Sequence, residues 1–526
     1  MRPEFSRFPL LLALVLLVTG AAARPRETFS EPPVLRSRDG VLSLRLTARI
    51  DPHSAGPTFF YFTPVAPFWL HDAPTLEVRP GERIRIDYRN SLPPIASDDA
   101  HGLPDDTNLH FHGLTTSPNA PGDDVLTTML SPLAQSGYDV KVAADQPPGI
   151  YWYHPHAHHE TSWQVGNGMS GAIVVDGIEN AVPSVAGLRE RLIVVRQTFL
   201  HPDSDGAVTL GRRMCGLAHL TPRARIAFLR AAFRKNPTAA AADDESKNTV
   251  VSLNGAPAGS VAIGIRPGER ELFRVVNATP SRNLALAVDG ESLELVSEDG
   301  VPLRYLPGSV ATLSVARLIV PPGGRAEFVV RGRPGGTTLR SLRFDSGPKG
   351  DPDPPLTLAS LIDDGVSFSA DPRVPAPSVQ PRPERDYYRT APPAPVARRV
   401  VRLGENDAGS RFFINKRSFD ERDAPLFVAR SGTVEEWTLQ NLTQEVHTFH
   451  THQVHFVVER ENGVLVPPAR RHWLDTFNVP YERNHRPGSV QILVDFRDPV
   501  VRGTFVFHCH ILDHEDGGMM AKVRVV

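Results

Sequence analysis

The 526-residue sequence contains very little cysteine, only Cys215 and Cys509. Two thiols exclude the dense disulfide framework that holds many small secreted proteins together, so the fold must depend on an apolar core. Net charge is also close to zero, with 57 Lys and Arg against 59 Asp and Glu. This balance argues against a nucleic-acid-binding protein, and an apolar content of 40% argues against a disordered chain.

Long apolar runs are equally scarce. The run from Phe8 to Val18 is too short to span a bilayer comfortably, and no second apolar segment of about 18 residues occurs. Two arginines precede this run and small residues follow it, which is the pattern of a cleavable secretory signal over residues 1–23. The alternative is an N-terminal membrane anchor. We expect the mature chain to be exported, periplasmic or secreted, and not to bind membranes.

Proline, by contrast, is abundant at 50 residues, and this composition favours short strands and turns over long helices. One pattern of a glycine, a β-type stretch and an asparagine nine residues later occurs three times. Its copies run from Gly81 to Asn90, from Gly268 to Asn277 and from Gly432 to Asn441. The repeats predict three tandem all-β sandwich domains, and the alternative is a chance similarity of turns.

The spacing of the repeats divides the chain into domains. We expect a first domain over residues 35–180, a second over 185–365 and a third over 397–526. The second contains an insertion, 203–248, in which a short amphipathic helix would form either a packed surface element or a lid over a substrate site. A proline-rich segment, 366–396, is expected to connect the last two domains along the surface.

Histidine is distributed unevenly, with 13 of its 20 residues in four short clusters. Side chains at positions i and i+2 of a strand lie on one face, so each cluster should present a pair of imidazoles on the same side. These pairs are His110/His112, His154/His156, His450/His452 and His508/His510. Eight converging imidazoles indicate a site for several metal ions, and imidazole is a suitable ligand for copper, zinc, iron or nickel.

Cys509 stands between the two histidines of the last cluster and should point to the opposite face of that strand. The further ligands available there are His447, His514 and Met519. Two histidines, a thiolate and a weak axial thioether describe a blue-copper electron-transfer site. The short peptide path from Cys509 to its neighbours would then connect this site directly to the histidine cluster.

The complete set of motifs resembles that of the multicopper oxidase family, which includes laccases and their bacterial relatives. The motifs are His-x-His-Gly from His110, His-x-His from His154, His-x-x-His-x-His from His447, and His-Cys-His-x-x-x-His-x-x-x-x-Met from His508. The resemblance extends over essentially the whole mature chain. It implies an all-β fold of three tandem cupredoxin-like Greek-key β-sandwich domains, with a metal cluster between the first and the third.

The resemblance also implies four coppers per chain and assigns ligands to each. The type 1 copper would bind His447, Cys509 and His514, with Met519 as the axial ligand and Met520 as the alternative. The type 2 copper would bind His110 and His450. The two type 3 coppers would bind His112, His154, His156, His452, His508 and His510.

Reduction of O2 to water requires protons as well as electrons, so a carboxylate close to the cluster is expected. Glu515, which follows a ligand histidine, and Asp123 match family positions, with Asp124 as the alternative to Asp123. An ordinary surface role is the competing interpretation for each carboxylate. Three further histidines are expected to surround the ligands or lie on the surface, namely His158, His159 and His455. Cys215 is expected to be a free thiol.

The resemblance implies a copper-dependent oxidoreductase that takes O2 as acceptor and a small-molecule reducing substrate, and we expect it to be a monomer. Laccase-like oxidation of phenols or aromatic amines is one interpretation, and oxidation of Cu(I) for copper tolerance is the other. Thioethers are soft ligands suited to Cu(I), but this sequence has six methionines and no methionine-rich tract, which favours the laccase-like interpretation. A non-catalytic scaffold would be expected to have lost metal ligands, whereas this chain retains the full set.

Overall fold

This computed structural model of the protein describes residues 27–50, 59–62, 73–92, 106–199, 249–363, 365 and 386–526. The expected secretory signal, the insertion with Cys215 and its expected helix, and most of the proline-rich connector lie outside these residues. Within the described ranges, no helix has the length and apolar character that crossing a membrane requires.

β-Strands dominate the described residues and form six sheets. The helices are short: α1 (Thr161–Gly166), α2 (Ile178–Ala181) and α3 (Leu512–Asp516), with single helical turns at Pro183–Val185, Leu303–Tyr305, Pro468–Arg470 and Pro499–Val501. The sheets pack in pairs into three sandwiches, and each sandwich encloses its own apolar core. The expected all-β class with three tandem sandwiches is therefore confirmed.

The first sandwich follows an N-terminal strand, β1 (Glu27–Thr28). Its own strands are β2 (Val34–Arg36), β3 (Val41–Ile50), β4 (Phe59–Phe62), β5 (Thr75–Val78), β6 (Arg83–Asn90), β7 (His110–His112), β8 (Gln135–Lys141), β9 (Gly149–His154) and β10 (Gly171–Val175). One sheet has the order β2-β5-β10-β9-β7 and the other the order β4-β3-β6-β8. β6 alternates buried and less buried side chains, so Ile84, Ile86 and Tyr88 enter the core.

The middle sandwich contains the strands β11 (Arg189–Phe199), β12 (Thr249–Leu253), β13 (Ala256–Pro257), β14 (Val261–Gly264), β15 (Arg270–Asn277), β16 (Leu284–Val288), β17 (Leu293–Glu298), β18 (Val301–Pro302), β19 (Leu313–Val315), β20 (Leu318–Val320), β21 (Arg325–Arg331), β22 (Thr337–Leu342) and β23 (Leu356–Ile362). Its sheets have the orders β1-β14-β23-β22-β16-β20 and β13-β12-β11-β15-β21-β17-β18, with β19 beside β17. The segment that precedes the first sandwich in sequence therefore completes the middle one, a long-range pairing that the sequence does not predict.

The last sandwich contains β24 (Ala397–Glu405), β25 (Phe412–Ile414), β26 (Phe427–Ala429), β27 (Thr433–Asn441), β28 (His447–Thr451), β29 (Phe456–Glu461), β30 (Val464–Leu465), β31 (Trp473–Leu474), β32 (Thr476–Val479), β33 (Gly488–Phe496), β34 (Gly503–Cys509) and β35 (Met520–Val525). Its sheets have the orders β25-β24-β27-β33-β29-β30, with β31 beside β29, and β26-β35-β34-β28-β32. The neighbours β28 and β34 both carry histidine clusters.

The three repeated segments occupy the same place in their sandwiches. β6, β15 and β27 each lie between a parallel and an antiparallel partner, which are β3 and β8, β11 and β21, and β24 and β33. The glycine of each repeat has a positive φ, 86° at Gly81, 81° at Gly268 and 84° at Gly432. L side chains rarely adopt this conformation, so the turn before each strand requires glycine.

The asparagine at the end of each repeat closes a turn with its side chain. Asn277 is fully buried, and its Nδ2 donates to the carbonyls of Arg282 and Val320. Its Oδ1 accepts from the backbone N–H of Thr279. Asn441 is buried in an equivalent turn. Both asparagines begin Asn-x-Thr triplets, and their burial identifies them as turn residues rather than exposed glycosylation sites.

Most residues in the described end of the proline-rich connector are partly or fully exposed, but one tyrosine is buried. Tyr388 is only 6% exposed, and its Oη lies 2.6 Å from Thr115 Oγ1 and 2.9 Å from His455 Nδ1. Its carbonyl accepts a hydrogen bond from Trp473 Nε1 at 2.8 Å. This side chain therefore anchors the connector between the first and last sandwiches, because a buried tyrosine hydroxyl needs polar partners and finds them there.

Candidate metal centre

The four histidine clusters lie on strands that the fold brings to one place. In the first sandwich β7 pairs with β9, so that His110 lies opposite His154. In the last sandwich β28 pairs with β34, so that His450 lies opposite His508. The second member of each pair belongs to the same strand or follows its end by one or two residues. The four clusters therefore meet where the first sandwich contacts the last, and together they form what we call the histidine cluster.

Rings from the two sandwiches stack directly on each other. His110 stacks on His452 with centroids 3.7 Å apart and planes inclined by 12°, and His112 stacks on His450 at 3.8 Å and 13°. Within the four i, i+2 pairs, the ring centroids lie between 5.2 and 6.2 Å apart. The convergence of eight imidazoles, which the strand periodicity predicts, is confirmed.

The nitrogen atoms of these rings form three groups, each with one ligand atom per residue within 4.8 Å of the others. The groups are His110/His112/His450, His112/His154/His510 and His156/His452/His508. In the last group, the Nε2 atoms of His156 and His452 lie 3.3 and 3.2 Å from Nε2 of His508. The first group contains His110 and His450, which the resemblance assigns to type 2 copper, together with His112, and the other two groups contain only residues that it assigns to type 3 copper.

Hydrogen bonds on the outer side of the cluster determine which nitrogen of a ring faces inward. Nδ1 of His110 donates to Asp123 at 2.9 Å, and Nδ1 of His450 donates to the main-chain oxygen of Asp475 at 2.8 Å. The inward Nε2 atoms of both rings are buried without a hydrogen-bond partner. Buried polar atoms are rarely left unpaired, and a ring nitrogen with a free lone pair is a metal donor. The donor set therefore fits metal ions.

Burial and the neighbouring imidazoles also control protonation at the cluster. They hold the pKa of His110, His452 and His510 well below the usual range of histidine. The rings are therefore neutral near pH 7, since both the loss of water and the positive charge of neighbours disfavour the imidazolium form. Neutral imidazole is the form that binds metals, so these rings need not lose a proton before they bind a metal ion.

A second group lies on the other face of β34 and comprises Cys509, His447 and His514. We call it the cysteine group. Cys509 Sγ is 3.7 Å from Nδ1 of both His447 and His514, and these two nitrogens are 3.0 Å apart. Nε2 of His447 is 2.9 Å from Thr443 Oγ1, which fixes the ring with Nδ1 toward the sulfur. Phe412 stacks on the His514 ring at 4.1 Å. Cys509 therefore faces away from the cluster of its two neighbours, as the strand alternation predicts.

Met519 and Met520 occupy different surroundings. Met519 is fully buried in the same apolar core as Cys509, and its main chain bonds to Cys509 and His514. Met520 packs instead with Val125 in a separate small cluster. These contacts favour Met519 over Met520 as the thioether that lies beside the cysteine group. Burial raises the pKa of the Cys509 thiol, so formation of a metal–thiolate bond would release a proton.

Two carboxylates approach the histidine cluster. Glu515 is 2% exposed, with Oε2 at 3.0 Å from His508 Nδ1 and Oε1 at 3.4 Å from His156 Nε2. Asp123 accepts hydrogen bonds from His110 Nδ1 and, at 3.0 Å, from the backbone N–H of Phe111. Burial raises the pKa of Asp123 to about 7. Both groups are therefore enclosed against ligand histidines, whereas a surface carboxylate would be exposed.

Asp124, the alternative to Asp123, has a different role. Its Oδ1 accepts from the backbone N–H groups of Leu126 and Thr127 at 3.1 and 2.9 Å. This is a local turn, in which a short carboxylate side chain satisfies backbone donors two and three residues later. The geometry therefore favours Asp123 as the carboxylate that faces the cluster.

The three neighbouring histidines bond to groups other than the ligands. His158 Nδ1 is 2.6 Å from Glu421, His159 Nδ1 is 2.9 Å from the main-chain oxygen of Asp516, and His455 Nδ1 bonds to Tyr388. None of the three belongs to the described groups of converging ligand atoms. This agrees with the expectation that they surround the ligands or lie on the surface.

Sequence reasoning missed two buried charged residues beside the cluster. Asp475 Oδ1 lies 3.1 Å from His112 Nε2, and Arg325, from the middle sandwich, forms a two-point ion pair with the same carboxylate. Both side chains are almost completely buried. Neither residue lies in a histidine motif, and no local spacing distinguishes them from the many other charged residues of the chain.

The chain matches the sequence models of two multicopper oxidase domains, over residues 72–180 and 389–526. It is 24% identical to multicopper oxidase mco of Staphylococcus haemolyticus, covering 86% of this chain and 81% of that protein. It is 25% identical to a laccase of Bacillus subtilis, over 87% and 89% of the two chains. It is also 26% identical to the cell division protein FtsP of Salmonella typhimurium, over 99% of both.

Solved structures agree with the sandwich architecture. A metallo-oxidase, the multicopper oxidase from Campylobacter jejuni, superposes with a TM-score of 0.66 over 95% of each chain at 21% identity. The two matched regions fall in the first and last sandwiches, which carry all of the converging histidines. From the sequence matches, the fold and the converging histidine groups together, we conclude that the chain belongs to the multicopper oxidase family, and its multicopper oxidase homologues indicate a copper oxidoreductase.

Proposed function

We propose that the protein is a laccase-like oxidase that oxidises phenols or aromatic amines and reduces O2 to water. Copper, when bound, would accept single electrons at the cysteine group and pass four of them to O2 at the histidine cluster. The proposed ligands are His447, Cys509, His514 and Met519 for type 1, His110 and His450 for type 2, and His112, His154, His156, His452, His508 and His510 for type 3 copper. This assignment requires four coppers per chain.

The observation that carries the proposal is the arrangement of the two groups around one strand end. Cys509 belongs to the cysteine group, while the residues on either side of it, His508 and His510, belong to two different groups of the histidine cluster. A single peptide unit therefore separates the two sites. An electron carrier alone would need only the cysteine group, and a hydrolytic metal site would not need the thiolate.

His514 is the proposed point of electron entry. It is 8% exposed, whereas the other proposed ligands are at most 1% exposed. A reducing substrate would therefore dock over His514, the least buried of the proposed ligands. Phe412 stacks on one face of the same ring.

Glu515 and Asp123 are the proposed proton-carrying residues. Each reduction of O2 to two waters consumes four protons, and a carboxyl group held within hydrogen-bonding distance of the cluster can supply them. Glu515 contacts His508 and His156 on one side, and Asp123 contacts His110 on another. Gln453 also donates to Asp123, which fixes the carboxyl group in place.

Oxidation of Cu(I) is the second candidate because carboxylates lie beside His514, the least buried of the proposed ligands. Glu445 Oε1 is 3.5 Å from His514 Nε2, and Lys349 Nζ is 3.7 Å from the neighbouring Glu405. Burial and the adjacent Glu405 raise the pKa of Glu445 to about 9, so Glu445 would attract a cationic substrate only in its deprotonated form. The chain is also similar to a metallo-oxidase in fold. Its similarity in sequence to FtsP, a cell division protein, instead raises a non-catalytic role. A purely structural role would not require twelve ligands, which is why an enzyme is favoured over a scaffold.

Oxygen uptake with three substrates distinguishes these possibilities. We expect the copper-loaded protein to consume O2 with a phenolic dye or an aromatic amine, at one O2 per four substrate oxidations and without release of hydrogen peroxide. We expect slower uptake with Cu(I), and little effect of Glu445→Gln on the phenol rate. Faster uptake with Cu(I), reduced strongly by Glu445→Gln, would instead support the metallo-oxidase function, and no uptake with any substrate would support a non-catalytic role.

The remaining features of the chain are proposals that rest on the sequence alone. They are a signal peptide over residues 1–23, domains over 35–180, 185–365 and 397–526, an insertion at 203–248 and a connector at 366–396. We propose a monomer exported to the periplasm or secreted, without nucleic-acid or membrane partners.

A further inference from the structure

The middle sandwich supplies no ligand, yet it reaches the histidine cluster. The turn between β20 and β21 places Gly323 against the His510 ring, where a Cβ atom would lie 2.7 Å from the ring. The first residue of β21 is Arg325, whose side chain is fully buried. This turn therefore directs a guanidinium group into the space between the first and last sandwiches.

Arg325 bonds to all three sandwiches. Its Nε lies 3.5 Å from the carbonyl of Ile150 in the first sandwich, and Nη2 donates to the carbonyl of Asp299 in the middle one at 3.0 Å. Nη1 donates to Asp475 Oδ1 in the last sandwich at 2.6 Å, and Nη2 donates to the second oxygen. The planar fork of arginine allows this geometry, because five donors point in fixed directions.

Asp299 completes the connection from the other side. Its Oδ1 accepts from the backbone N–H of Arg325 at 3.0 Å, and its Oδ2 accepts from the backbone N–H groups of Asp475 and Thr476 at 3.1 and 3.0 Å. The carboxylate of Asp475 is thus fixed through its side chain by Arg325, and its backbone is fixed by Asp299. Both constraints come from the middle sandwich.

The fixed carboxylate faces two stacked ligand histidines. Asp475 Oδ1 is 3.1 Å from Nε2 of His112 and 3.5 Å from Nδ1 of His450, and its main-chain oxygen accepts from the same Nδ1 at 2.8 Å. These contacts direct the opposite nitrogens, Nδ1 of His112 and Nε2 of His450, into the cluster, where both are buried without a hydrogen-bond partner.

The glycine of the first motif fits the same interpretation. Gly113 has a φ of 87°, and a Cβ atom there would collide with the Arg325 guanidinium and lie 2.8 Å from Asp475 Oδ2. The glycine that follows His112 therefore makes room for the ion pair. A ligand motif of the first sandwich is shaped around a residue of the middle one.

We propose that Arg325 is a positioning residue of the middle sandwich, which sets the inward nitrogens of His112 and His450 by fixing the Asp475 carboxylate. This inference rests on the proposed copper function, because its consequence is the binding of copper at His112, a proposed type 3 ligand, and at His450, a proposed ligand of the type 2 copper. Hydrogen-bonded partners of metal-binding histidines affect metal affinity by about 10- to 100-fold when they are changed. Arg325 would act on this copper through two intervening side chains.

Arg325→Lys tests the proposal, because lysine keeps the charge that balances Asp475 but loses the two-point geometry. We expect type 2 copper to bind about 10- to 100-fold more weakly, with altered hyperfine splitting in its EPR signal and unchanged blue absorption. Arg274→Lys is the matched control, since Arg274 is 3% exposed and bonds to Glu190 and to Glu327, which lies on β21 as Arg325 does. Among the described residues, Arg274 has no hydrogen bond to a histidine.

The control should retain the wild-type copper affinity and EPR signal even if both variants melt at lower temperature. An unchanged type 2 signal and affinity in Arg325→Lys would overturn the proposal, and so would an equal loss in Arg274→Lys. If Arg325→Lys does not fold, the double variant Arg325→Met/Asp475→Asn removes both charges together, which avoids an unpaired buried charge. The same loss is expected from it, and a wild-type signal would overturn the proposal. A wild-type protein without any type 2 signal would refute the proposed function instead.

Discussion

Cys509→Ser is expected to abolish both the blue absorption and the O2 uptake of the copper-loaded protein. The thiolate is the soft ligand that defines a blue-copper site, and a serine hydroxyl cannot replace it. The sulfur would also join the type 1 copper to the peptide that carries His508 and His510, so without a metal–sulfur bond electrons that enter at His514 would no longer reach the histidine cluster by this path. Absorption spectra and oxygen-electrode traces with a phenolic substrate measure both effects.

The result must be separated from a failure to fold. Cys509 is fully buried, and an unpaired hydroxyl at such a site costs about 1–3 kcal/mol. The type 2 EPR signal should remain, because the histidine cluster does not include the cysteine. Cys215→Ser is the matched control: it replaces the other cysteine of the chain and should retain colour and activity. If Cys509→Ser kept its blue absorption and its O2 uptake, the assignment of the cysteine group would be wrong.

Glu515→Gln is expected to reduce turnover by about 10²- to 10⁴-fold, the usual contribution of a positioned proton donor. Glutamine has nearly the same shape and can keep contacts to His508 and His156, but it cannot carry a proton. Substrate should bleach the blue absorption at the normal rate under anaerobic conditions, since His514 and Cys509 are unchanged. The return of the absorption after admission of O2 should be slow, and stopped-flow spectroscopy measures both phases.

Asp516→Asn provides a control on the same helix. Asp516 follows Glu515 directly, and its carboxylate accepts from the backbone N–H groups of Thr161 and Ser162 rather than from the histidines. We expect this variant to lose some stability and to reoxidise at nearly the wild-type rate. Reoxidation of Glu515→Gln within about threefold of wild type, far below the expected range, would contradict the proton-carrying role.

The histidine groups could be predicted because their information is local. Two residues on one strand at i and i+2 share a face whatever the rest of the fold does, so His508, Cys509 and His510 define two opposite sites within three residues. The repeats behave in the same way, since a glycine with positive φ and a buried asparagine mark each end of a strand at fixed spacing. Local patterns therefore gave the fold class and the convergence of the ligand residues.

The contacts around these groups depend on residues far apart in the chain. Arg325 and Asp475 are separated by 150 positions, and each is one of many charged residues, so no spacing marks them as a pair. The pairing of β1 with β14 and the burial of Tyr388 are equally non-local. Their positions follow from how three sandwiches pack together, which strand periodicity does not determine. For this reason the sequence does not predict that Arg325 of the middle sandwich contacts Asp475.

The number of coppers per chain tests the central claim most directly. Metal analysis after full loading and removal of loosely bound ions should be combined with EPR on the same sample. The assignment of ligands predicts four coppers per chain: one blue type 1 signal, one type 2 signal and two coppers that are EPR-silent as a coupled pair. A single copper per chain, with only the blue signal, would contradict the histidine cluster as a multi-copper site and with it the proposed reduction of O2 to water.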